Sequence, residues 1–186
     1  STPGDIMHKL GFFTRAALLA AAASLAPASS AAAQPRQDGF SEIAADMAFG
    51  FCPLFLADEF PLTSPELGER GFATAIQKQA NPRFGELQTV SLKRAEGEIG
   101  FGGSPGKFCS VVIMGTGRDA ALAHLREAMS YTGLDFKPAA QNGPQIEGIT
   151  VEAFKASVEG QFLNLQLIRA GGPTPMVMAQ MFVTEE

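Results

Sequence analysis

Between Phe162 and Arg169 the chain alternates strictly, with Leu163, Leu165 and Leu167 separated by Asn164 and Gln166. A period of two places the three leucines on one face of a strand and the two amides on the other, so one core-facing side is fixed. The preceding Glu159-Gly160 has the length and chemistry of a hairpin turn, because glycine takes a positive φ without a steric penalty. Ile149 to Val158 is then the antiparallel partner, and Met176 to Val183 reads as a third strand, apolar enough to be covered on both sides. A sheet is the framework to which everything else must fit.

Two more strands are expected upstream. Gln88 to Arg94 sets Val90 and Leu92 against Thr89, Ser91 and Lys93, and Phe108 to Met114 is apolar on both faces, as suits the middle of a sheet. A glycine-rich passage from Gly97 to Gly106 separates them. Phe40, Ile43, Met47, Phe51 and Leu54 recur at helical spacing, with Ser41 as N-cap and with Gly50 and Pro53 expected to weaken or end the helix near Cys52. Pro65 opens a second short helix running toward Lys78, and Asn81-Pro82 closes it. The Gly115-Thr116-Gly117 turn leads into a third helix, from about Arg118 to Tyr131, with Gly133 as C-cap and a loop from Lys137 to Gly148 beyond. The expected fold is α+β: two layers, a largely antiparallel sheet of about five strands, and two or three helices packed on one face.

The first residues speak to compartment. Met7 reads as the start, with Ser1 to Ile6 upstream of it. Lys9 and Arg15 form a basic n-region before the Ala/Leu run from Ala16 to Ala26, and Pro27 and Ala31-Ala32-Ala33 complete a signal peptide over residues 7–33. The run is too short to span a bilayer. Cleavage near Ala33-Gln34 leaves a flexible lead-in at 34–39, a single domain at 40–186, and a periplasmic or secreted product with no membrane span. The formal net charge of −5 becomes one unit more negative once Lys9, Arg15 and Asp5 leave with the leader. An acidic surface argues against nucleic acid, whose phosphates demand a basic footprint. In an oxidising compartment the only two cysteines, Cys52 and Cys109, are expected to pair, stabilising the fold by roughly 4 kcal/mol on a chain-entropy account. In its signal peptide, its Phe40-to-Cys52 helix and its Glu69-Arg70-Gly71-Phe72 segment, the chain resembles small exported bacterial proteins of unknown function, a likeness that implies no activity.

Chemistry is thin. His124 is the one histidine after the leader, and Tyr131 lies seven residues on along the same helix flank. The pair, with Arg118 holding an anion at the helix start, is a candidate acid/base site. The competing reading, a solvated boundary histidine, is the stronger one. Glu127 adds one ligand beside His124, too few for zinc. Met176 and Met178 share a strand face from which Met181 points away, so a copper site is less supported than core packing. Gly97 to Gly106 runs from strand to strand and lacks the Lys-Ser/Thr of a phosphate loop, while Gly115-Thr116-Gly117 lacks a third glycine. No cofactor is expected. By elimination the sequence favours a non-enzymatic module that binds a small ligand or an envelope protein. The alternatives are a small enzyme built on His124, Tyr131 and Arg118, and an inhibitor of an exported hydrolase presenting the Gly97–Gly106 loop.

Overall fold

The computed structural model describes residues 39–141 and 145–185. The expected signal peptide, the expected cleavage point and the expected lead-in as far as residue 38 lie outside the described residues. Helix α1 (Phe40–Ala45) passes through a π-helical turn (Asp46–Phe51) into α2 (Cys52–Leu56), and α3 (Pro65–Glu69) follows. Four strands come next: β1 (Gln77–Asn81), β2 (Gly85–Arg94), β3 (Gly97–Ser104) and β4 (Phe108–Met114). Helix α4 (Arg118–Met129) leads to a second set of four, β5 (Lys137–Pro138), β6 (Ile149–Val158), β7 (Gln161–Ala170) and β8 (Met176–Glu185).

All eight strands form one antiparallel sheet in the order β1-β2-β3-β4-β8-β7-β6-β5. This overturns the expected five-stranded α+β arrangement: the molecule is mostly sheet, and its helices are short. Two four-strand meanders meet where β4 pairs with β8, with Val111 opposite Ala179 and Ile113 opposite Val177. One face carries the core. Val90, Leu92, Ile99, Phe101, Val111, Ile113, Leu165, Leu167, Val177 and Met181 are all buried on that face, where the π-helical turn, α2 and α4 pack on the sheet.

Three strands account for the miscount. The segment expected to continue the second helix toward Lys78 is β1, a polar edge strand; α3 stops at Glu69. Asn81-Pro82 ends no helix; it turns the β1–β2 hairpin, where Asn81 Oδ1 accepts bonds from the amides of Arg83 (2.9 Å) and Phe84 (3.0 Å). The Gly97–Gly106 passage is not a loop but holds β3, pinched between β2 and β4. At Gly102 (φ 145°) a Cβ would lie 2.0 Å from the Gln88 carbonyl oxygen, and at Gly103 (φ 153°) 2.1 Å from that of Phe108. Glycine is what lets this strand exist. The third is β5, two residues inside the expected loop from Lys137, paired to Lys155 and Phe154 of β6.

The first helix also departs from expectation. It is distorted rather than ended near Cys52, and it continues to Leu56. Pro53 has no N–H and its ring crowds the carbonyl four residues back, so the turn before it widens and the Cys52 amide donates to the Met47 carbonyl, five residues back. The inserted residue rotates everything after it. Cys52 and Phe55 (each 1 % exposed) face the core, whereas Leu54, an expected stripe residue, is 41 % exposed. Cys52 thereby meets Cys109 on β4, and the two are joined with Cα atoms 5.5 Å apart and 57 residues of separation. The disulfide joins the helical layer to the sheet.

Candidate functional site

The sequence candidates come only partly together. His124 and Tyr131 line one shallow groove of about 260 Å³ between α1 and α4, with Glu42 and Asp46 opposite. Tyr131 is 78 % exposed. Among the described residues neither side chain hydrogen-bonds the other or a carboxylate, so nothing orients the imidazole for proton transfer. Arg118 is not in this groove; its Nη1 donates to the Gly115 carbonyl (2.9 Å) and its Nη2 lies 3.8 Å from Asp119. Asp119 also pairs with Arg169 of β7 at 3.1 Å. The candidate triad is two residues in a shallow groove and a third that anchors a turn.

The other candidates are placed as follows. The Gly117 amide donates to the Glu96 carbonyl at 2.9 Å, so the glycine turn before α4 is a packing turn whose last amide is already used. Among the described residues no three His, Cys, Asp or Glu side chains are grouped to hold a metal ion. Met181 is buried on the core face, and Met176 and Met178 lie half-buried on the opposite face, which no helix covers among the described residues. The expectation that β8 is covered on both sides is met on its core face, while Met176, Met178, Gln180 and Phe182 on the other face are half-buried. Met114 stands directly opposite Met176 there.

Because Cys109, Val111 and Ile113 look at the helices, Ser110, Val112 and Met114 look the other way, and register carries that face across the sheet. Val112, Met178, Ile168 and Val151 form one row over β4, β8, β7 and β6, each half-buried. The next row is polar: Ser110, Gln180 and Gln166, with Ala153 beyond. Toward the β4 start this open face deepens into a cavity of about 490 Å³. Its floor holds Gln166, Gln180, Asn164 and Thr184. Arg83 and Phe84 of the β1–β2 turn wall one side, and Ala139 and Ala140, just past β5, wall the other. In a flat sheet those walls would stand roughly 30 Å apart, at about 4.8 Å per strand. The sheet therefore curls across this face.

The cavity's side chains are held in place. Phe84 stacks on Phe108 with ring centroids 4.5 Å apart, and the Arg83 guanidinium sits 5.0 Å over the Phe84 ring. Gln180 Nε2 donates to Gln166 Oε1 across β8 and β7. Asn164 Nδ2 donates to Thr184 Oγ1 at 3.0 Å and to the Phe182 carbonyl at 3.3 Å. Beside Asn164, Lys155 of β6 projects over the Phe162 ring at 4.4 Å. Sequence reasoning misses all of these residues as a site. The signal is present in Asn164 and Gln166, which in sequence look only like the wet side of a strand.

No family model matches the chain, and no curated protein or solved structure matches it at a significant level. The disulfide is compatible with an exported protein, and among the described residues no helix is long and apolar enough to cross a membrane.

Proposed function

We propose that this chain is an exported, non-enzymatic binding module whose ligand seats on the open face of the sheet. One observation carries the reading: a walled cavity lies on that uncovered face, and its floor is made of half-buried amides already fixed in position. Its size falls in the range of small-molecule sites, about 300–1,000 Å³. The curled sheet supplies a rigid frame, so little ordering is needed on binding. The enzyme reading has less support, because His124 lies in a shallow groove with no orienting partner among the described residues. The inhibitor reading has lost its loop, since most of the Gly97–Gly106 segment is an internal strand of the sheet.

Native mass spectrometry of protein purified gently from its own cell envelope tests the proposal. The expected result is a retained small molecule, released by Gln180→Leu and kept by His124→Gln, on a chain beginning within about three residues of Gln34. An apo mass with no binding to any small-molecule panel would sink the binding reading. A full-length chain found in the cytoplasm of an export-competent host would sink export.

A further inference from the structure

We infer that the open-face cavity recognises the C-terminal end of a short peptide, with its amides on the peptide groups and its flanking cations on the free carboxylate. The inference rests on the binding-module reading and adds the ligand's chemistry. Two independent features of the cavity carry it.

The first is the pattern of unused hydrogen-bonding capacity on the floor. Gln180 and Gln166 are bonded amide to amide, which leaves Gln166 Nε2 and Gln180 Oε1 without partners among the described residues. Turning both amides over would exchange the roles and still present one NH2 donor and one carbonyl acceptor. Asn164 uses its Nδ2 on Thr184 and on backbone carbonyls, which leaves Oδ1 as a second acceptor. One donor and two acceptors on adjacent strands complement a ligand with one carbonyl and two N–H groups, which two linked peptide groups supply. An apolar ligand would strand these polar atoms out of water, and burying an unpaired amide is costly.

The second is charge. The protein is acidic overall, at −5, yet among the described residues no carboxylate lines the cavity. Its one lining charge is Arg83, and Lys155 stands beside Asn164 on the same face. Among the described residues neither cation meets a carboxylate; each rests on an aromatic ring instead, Arg83 on Phe84 and Lys155 on Phe162. A guanidinium held on a ring keeps its edge donors free, and that edge matches a carboxylate in two-point contact. A cation would meet repulsion from both side chains here, whereas an anionic group would be drawn to them. The half-buried row of Val112, Met178, Ile168 and Val151 beside the polar row offers a surface for the ligand's side chains.

The test uses the full chain labelled with nitrogen-15 and three defined probes: N-acetyl-dialanine, its C-terminal amide, and dialanine amide, which is a cation. N-acetyl-dialanine should shift the side-chain NH2 signals of Gln166, Gln180 and Asn164. The capped amide should bind at least about tenfold more weakly, as expected for loss of a charged hydrogen bond, and dialanine amide should not bind. Arg83→Gln should shrink the difference between acid and capped amide, and Arg83→Gln with Lys155→Gln should abolish it, while leaving the fold intact, because both side chains are exposed. Gln180→Leu should weaken both probes alike. Equal affinity for acid and capped amide, tighter binding of the cation, or no shift with any probe at ~10 mM each overturns the inference. The wider reading is judged separately: a retained envelope ligand of other chemistry keeps the binding module and overturns the peptide assignment, whereas an apo protein with no probe binding ends both.

Discussion

The backbone amide of Cys52 bonds the carbonyl of Met47, five residues back, and this single widened turn decides which residues of the first helix are inside. A regular helix from Phe40 would bury Leu54; the widened one buries Phe55 instead. Phe55→Ala should destabilise the fold by about 3–5 kcal/mol, and Leu54→Ala by about 0.5 kcal/mol or less. Chemical denaturation of the two variants checks it. A larger loss at Leu54 would mean the π turn is misplaced.

The same turn delivers Cys52 to Cys109. Either Cys→Ser variant should lose about 2–5 kcal/mol, and the double variant should lose little more than one alone, because a single bond is removed in each case. Non-reducing peptide mapping of the wild-type chain should recover the two cysteines in one linked fragment pair. Both thiols free to alkylate in envelope-purified protein would contradict it.

Gly102 has no room for a methyl group, with the Gln88 carbonyl oxygen 2.0 Å from where its Cβ would be. Gly102→Ala should cost more than about 1 kcal/mol, whereas Gly160→Ala, with open space around it, is limited to the strain of its positive φ. Thermal melts of the pair separate the two causes. Equal losses would show that close strand approach is not what selects glycine in β3.

His124→Gln should leave the melting temperature and ligand retention nearly unchanged, since surface substitutions usually shift stability by under about 0.5 kcal/mol. Were the imidazole a general acid or base, an activity would instead fall on the order of 10²–10⁴-fold with the melt unmoved. The melting comparison can be run before any ligand or substrate is identified.

Glu86, exposed on β2, has its carboxyl held below the usual range by hydrogen bonds from Lys78 of β1 and from Gln88, with the Lys78 charge assisting. A group whose pKa is lowered on folding stabilises the folded form above its unfolded pKa and loses that contribution as pH falls through the folded value. The β1 edge should therefore fray on acidification, seen as faster amide exchange at Gln77–Asn81 once intrinsic rates are removed. Lys78→Met should flatten that dependence.

What is legible in the sequence follows from how each strand is stabilised. Leu163, Leu165 and Leu167 announce β7 because one face is buried and the other is not. Phe108 to Met114 announces β4 by being apolar throughout. By contrast, β1 is Gln-Lys-Gln-Ala-Asn, an edge strand without an apolar face, and it forms because β2 offers it a ladder of hydrogen bonds. Strand β3 is written in glycine, whose low strand propensity is overruled by the need for close approach between β2 and β4. The cavity is hidden from the sequence for a related reason. Arg83, Gln166 and Gln180 lie far apart along the chain, and only strand order and the curl of the sheet bring them to one place.

Strand β8 is the last of the eight in chain order yet sits at the centre of the sheet, between β4 and β7. While a chain is still emerging from a ribosome or a translocation pore, its two meanders are complete except for the strand that joins them. Each then ends in an unpaired central edge, β4 on one side and β7 on the other, with Val111, Ile113, Leu165 and Leu167 of the core along them. Such edges invite pairing with other chains, and the contacts that remove them span most of the sequence, which makes their closure slow. Strand β8 acts as a keystone between the two meanders: a chain held up before Met176 is expected to expose both edges rather than to stand as a smaller version of the same protein.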